Sequence, residues 1–189
     1  IMVIFNRQLL HYVGELGVVV YGIISNSALV VSSINNGISQ AAQPILAVNY
    51  GAGQKKRVAL AMKYASWAAV AAGIFFTIAG LLFPRQITGF FVEAGPEIMD
   101  MAVGAVRIYF LSFLPLGVNM LCTTYLQSVM EPNQAMTICL LRGFVLSGIL
   151  VLILPVIWGV NGIWAVMLVT ELLTLTVSLA FQRKASGRI

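Results

Sequence analysis

Charge is what this 189-residue sequence has least of: 9% of its residues are Asp, Glu, Lys or Arg, where ordinary soluble domains carry about 25%. A water-facing surface cannot be covered from that supply, so a freely soluble globule is excluded. Histidine occurs once and cysteine twice, which removes both a clustered metal site and a disulfide scaffold. Cys122 and Cys139 lie inside apolar runs, where free cysteine behaves as a small hydrophobe. A phosphate-cradling glycine loop is missing too, because Gly51, Ala52 and Gly53 lack a preceding strand and a following Lys-Ser or Lys-Thr pair. With no Ser, His and Asp arrangement either, the sequence reads as no enzyme, with no metal and no cofactor.

What the chain has is apolar surface: 60% of residues are hydrophobic and mean hydropathy is +0.95. A membrane-spanning helix takes about 20 residues, and five runs are long enough, at 19–48, 58–83, 101–129, 135–157 and 162–181. Their continuity favours helices, since barrel strands alternate polar and apolar residues over about ten positions. The expected fold is therefore all-α and integral to the membrane. Residues 1–12 are too short for a span or a signal peptide and read as the end of a truncated helix with an outer loop. Residues 13–184 form the membrane body, and 185–189 a short tail.

A net charge of +5 raises nucleic acid as a partner, but the basic residues sit mostly between or after apolar runs, where they report topology instead. Lys55, Lys56 and Arg57 follow the first full span, with Lys63 a turn or two into the next, and Arg183, Lys184 and Arg188 follow the last. Those ends are expected to be cytoplasmic. The segment 84–100 sets Arg85 against Glu93, Glu97 and Asp100 and is expected outside, as a loop.

Several polar side chains stand at membrane depth. Glu171 is the one acid near the middle of a span. An ionised carboxylate there costs about 2.5–3.5 kcal/mol on insertion scales, so it should face a cavity or the bundle interior. At 100° per residue it shares a face with Trp164, Met167, Thr174 and Ser178. Two readings stay open: a protonatable site in a transport cavity, or a hydrogen-bonded tie between helices. In the first full span Ser25, Ser32, Asn36, Gln40 and Gln43 share one face, with Asn35 and Ser39 beside it, and this stripe is either interhelical glue or a cavity wall. Ser112, Asn119 and Thr123 repeat the theme, flanked by Tyr109 and Gln127, and Pro115 among them should kink its helix. Arg107 and Arg142 near opposite surfaces are expected to snorkel or pair, and His11 is assigned no role. The methionines and phenylalanines read as lipid and core contacts.

The run Gln43, Pro44, Ile45, Leu46, Ala47, Val48, Asn49, Tyr50, Gly51, Ala52 and Gly53, followed by Lys56, Arg57 and Val58, resembles the signature that ends the eighth helix of multidrug and toxic compound extrusion (MATE) transporters. Val20, Tyr21 and Gly22, Arg107 with Ile108, Glu131 with Pro132, and Leu141 with Arg142 also resemble that family, as does Gly159, Val160, Asn161, Gly162, Ile163 and Trp164. The resemblance implies the second lobe of a twelve-helix transporter: five complete spans plus the end of a sixth, helix seven. It implies drug efflux, with cationic amphipathic compounds exchanged for Na+ or H+ across a bacterial cytoplasmic membrane, the C-terminus inside. The expected partners are membrane lipids, small-molecule drugs and a missing N-terminal lobe, with no nucleic acid. One subfamily carries a coupling carboxylate in helix ten, and the corresponding span, around Ser112–Gln127, has none. Coupling is then left to the absent lobe or to Glu171. Competing functions are a lipid-linked saccharide flippase of the same superfamily and a non-transporting assembly subunit.

Overall fold

A computed structural model describes residues 2–91 and 95–188. Glu93 of the expected outer segment, and the terminal Ile1 and Ile189, lie outside the described residues. The described chain is helical throughout, in the order α1 (Met2–Tyr12), α2 (Glu15–Gly51), α3 (Lys55–Leu82), α4 (Pro84–Phe91), α5 (Pro96–Phe110), α6 (Phe113–Ser128), α7 (Pro132–Leu140), a π turn (Leu141–Val145) and α8 (Leu146–Arg188).

Among the described residues, four helical stretches are long and apolar enough to cross a membrane, and the last runs 57 residues, from Pro132 to Arg188. That stretch crosses twice. Arg142 and Glu171 are 29 positions apart yet in contact, whereas a straight helix would separate them by roughly 43 Å. The reversal occurs at Gly159, whose φ of 57° and ψ of −139° belong to a region open essentially to glycine alone. Gly162 then packs its bare Cα against the Leu154 carbonyl, where a Cβ would collide. Five crossings result, as the apolar runs predict.

Near Pro115, where a kink is expected, the helical hydrogen bonding is broken. Pro115 offers no N–H to the Leu111 carbonyl and its ring crowds it, and the helix is interrupted between α5 and α6 at Leu111 and Ser112. The outer segment differs from the expected loop: Pro84 opens the short helix α4, and Gly95 with Pro96 starts α5. Proline supplies helical φ at a first position where its missing N–H costs nothing. Arg85 and Asp100 pair across this segment at 3.6 Å, both well exposed.

Helix α6 is the hub, packed by α2, α3 and α8. The apolar interior divides into two clusters. One gathers Phe5, Val20, Ile24, Val31, Phe110, Phe113, Ile163 and Trp164; the other gathers Ala42, Leu46, Val58, Met62, Leu121, Tyr125, Leu126 and Ile138. Several hydroxyls close onto their own helix four residues back, as Ser27 does on Ile23, Thr123 on Asn119 and Thr174 on Thr170. That habit lets a polar side chain sit in apolar surroundings.

Candidate functional site

Between the two apolar clusters lies a layer of polar side chains. Along α6, Asn119 falls between Leu116 of one cluster and Leu121 of the other; along α2, Asn35 falls between Val31 and Ala42. In α8, Thr170, Glu171 and Thr174 occupy the same level, all with 0% exposure. The face that periodicity groups with Glu171 is the buried one, since Trp164 and Ser178 are buried and Met167 half-buried.

Glu171 is held from two other segments. Arg142 donates from Nε to Oε1 at 2.6 Å, and Asn119 donates from Nδ2 to Oε2 at 2.7 Å and to the Glu171 backbone carbonyl at 2.9 Å. Three crossings are thereby joined at one carboxylate. Arg142 sits in the π turn, where one extra residue per turn shifts the register of the side chains that follow; such turns recur at functional sites. Its side chain is 26% exposed and borders a cavity of about 390 Å³ shared with Tyr21, Tyr109, Ser147 and Met167. Arg142 is thus paired, whereas Arg107 is exposed and enters no ion pair among the described residues.

Oxygen acceptors in and around this layer are left over: Asn35 Oδ1, Ser39 Oγ, Asn119 Oδ1, Thr170 Oγ1, Ser147 Oγ and Ser178 Oγ make no hydrogen bond among the described residues. Buried orphans of this kind ask for a water, a proton donor or a small cation. Asn35 reaches its place because Gly117 opposite has no side chain; a Cβ there would strike its Oδ1.

The stripe read from α2 splits in two. Asn35 and Ser39 turn inward, while Asn36, Gln40 and Gln43 are exposed and reach no other helix among the described residues. On α6 the exposed edge carries Gln127, with Thr123 and Met120 half-buried. Of the motif residues, Gln43, Pro44, Gly51 and Ala52 are exposed and Asn49 and Tyr50 half-buried. They form the stop of α2: Asn49 donates to the Ile45 carbonyl, the backbone N–H of Gln54 donates back to Asn49, and Gly53 takes a φ of 66°. Pro44 leaves the Gln40 carbonyl without its helical donor, adding an acceptor to the same exposed face.

The sequence matches the MatE family over residues 1–154. No curated protein sequence matches it significantly. Solved structures do. An outward-facing multidrug resistance MATE family transporter of the MOP superfamily superposes with a TM-score of 0.90 at 17% identity, covering 99% of this chain and 42% of that one. Its inward-facing counterpart gives 0.87 at 17%, covering 98% and 43%. A MOP superfamily transporter from Pyrococcus furiosus, for which reversed polarity of the binding pocket suggests a different function, gives 0.89 at 18%, covering 98% and 42%. The likeness is one of fold, and this chain spans about two fifths of the length of those structures.

Proposed function

Because this chain belongs to the MatE family of membrane transporters, we propose that it forms the C-terminal lobe of a secondary exporter that expels cationic, amphipathic compounds in exchange for Na+ or H+. The lobe operates in a bacterial cytoplasmic membrane with its basic loop, at Lys55, Lys56 and Arg57, and its C-terminus inside, following the positive-inside rule.

The observation that carries this reading is the asymmetry of α2. Its buried seam runs through Val31, Asn35, Ala42 and Leu46, and at 100° per residue it is flanked on both sides by exposed surface. One flank is apolar, with Val30, Ile34, Ile45 and Val48 exposed. The other carries Asn36, Gln40 and Gln43. Lipid suits the first flank and only water, substrate or protein suits the second, so the amide flank is the lobe's half of a central cavity, closed by the partner lobe. Its lining is neutral amide. The one arginine at this depth in the polar layer is already neutralised by Glu171, which favours a cationic cargo over the phosphate-bearing cargo of a saccharide flippase.

Glu171 serves here as the tie that holds three crossings in register. The lobe moves as one unit while access alternates, in keeping with the near-equal likeness to outward- and inward-facing structures. The test is reconstitution of the full-length protein in vesicles. Ethidium efflux driven by a Na+ or H+ gradient supports the proposal. Absence of efflux alongside flipping of a labelled lipid-linked sugar would replace it with the flippase, and neither activity would leave an assembly role.

A further inference from the structure

Along α3, Lys55, Ala59, Lys63, Ser66, Val70 and Ile74 recur at spacings of three and four, which places them on one stripe. Lys63 lies about 12 Å along the helix from Lys55. Neither lysine meets a carboxylate at ion-pairing distance among the described residues.

The stripe faces two cavities that share Ser66. The first, of about 440 Å³, is lined by Lys55, Lys63, Ser66, Tyr125, Gln182 and Ser186, between α3, α6 and the end of α8. The Tyr125 and Ser186 hydroxyls bond each other at 2.8 Å, and Gln182 accepts from the Cys122 thiol with its oxygen, leaving its amide N–H groups free to donate. No carboxylate lines this cavity. Its chemistry is two cations and several hydrogen-bond donors, complementary to a phosphate. The second cavity, about 430 Å³, continues past Ser66 over Trp67, Val70, Ala71 and Ile74 and is apolar. From Lys63 to Ile74 is roughly 16 Å, about the depth of one leaflet's hydrocarbon, half of about 30 Å.

We propose that this groove is a binding site for an anionic phospholipid of the cytoplasmic leaflet, with its phosphate at Lys55 and Lys63 and one acyl chain laid along Ser66, Val70 and Ile74. A free phosphate explains the first cavity alone. The shared Ser66 and the matched length select a lipid, as basic pockets between membrane helices do. The bound lipid bridges α3 to the end of α8.

The test is native mass spectrometry of the full-length protein in neutral detergent at physiological salt, titrated with phosphatidylglycerol or phosphatidylcholine. Transport is not measured, so failure here leaves the export proposal standing. The expected result is preferential binding of phosphatidylglycerol, weakened about fivefold by Lys63→Gln or Lys55→Gln, the value of one lysine near an anionic headgroup. Ala71→Phe, which fills the tail groove and leaves both lysines in place, weakens it to a similar degree. Lys56→Gln and Lys184→Gln, equal in charge but outside the cavity lining, change it less than about twofold. The proposal is overturned if those controls weaken binding as much as Lys63→Gln does. It is also overturned if Ala71→Phe has no effect, if phosphatidylcholine binds equally, or if millimolar inorganic phosphate displaces the lipid.

Discussion

Removing either end of the Arg142 and Glu171 pair should destabilise the lobe, and by unequal amounts. Glu171 has no exposure and Arg142 keeps 26% of its side chain open beside a cavity. In Arg142→Met the carboxylate stays buried with only Asn119 to hold it, the situation in which losing one partner costs about 3–5 kcal/mol. In Glu171→Gln the amide still accepts from Asn119, a neutral interhelical bond of the kind that averages about 0.6 kcal/mol in membranes. The freed guanidinium can turn toward the cavity and hydrate, so the expected cost is about 1.5–3 kcal/mol, that of one lost charged hydrogen bond. The double variant leaves no unpaired charge and should cost less than the sum, with a coupling of about 1.5–3 kcal/mol in a double-mutant cycle. Unfolding of the full-length protein in mixed micelles, followed by circular dichroism, measures all four species. A coupling below about 0.5 kcal/mol, or a Glu171→Gln cost equal to that of Arg142→Met, refutes the idea that this ion pair is the tie.

Three further outcomes are expected. Gly159→Ala forces a side chain into a backbone region almost closed to it and should cost about 1–3 kcal/mol, read as a lower unfolding midpoint and poorer membrane yield. Asn36→Leu combined with Gln40→Leu should leave that midpoint nearly unchanged, because both side chains are exposed in this lobe, while sharply lowering dye efflux by the full-length protein. Arg188→Gln breaks the 2.6 Å pair with Glu131, but the arginine is over half exposed, so a change within about 1 kcal/mol is expected in the same unfolding assay.

The crossings were legible because apolar runs and positive flanks carry the topology directly. The reversal was legible too, as the gap at 158–161 between two apolar runs, and within that gap the backbone turns at Gly159. The inward face of α8 was readable from Glu171, Thr174 and Ser178, because helical period alone assigns it. Its partners were not. Arg142 reads from its position as a residue near the membrane surface, and neither the π turn beneath it nor the offset at which the chain returns from Gly159 leaves a signal in a 3.6-residue period. The same limit applies to α2. Asn35 and Asn36 are neighbours in sequence, and the choice of which turns inward is made by a glycine 82 positions away, Gly117.

That division of adjacent asparagines bears on how such a lobe works. A polar residue at membrane depth must be satisfied by its own helix, by a neighbour, or by water, and each solution has a different mechanical consequence. Asn35 bonding back to Val31 is satisfied within its own helix and adds no polar tie to a neighbour. Asn119 and Arg142 converging on Glu171 fix three crossings against one another. Asn36, Gln40 and Gln43 are exposed and reach no other helix among the described residues, so under the proposed function they would resist no movement of a second lobe across them. Stiffness inside the lobe and freedom at its amide face therefore come from the same few residue types, separated by where packing lets them point. A rocking transporter requires that combination, because a loose interior would absorb the motion and a bonded face would prevent it.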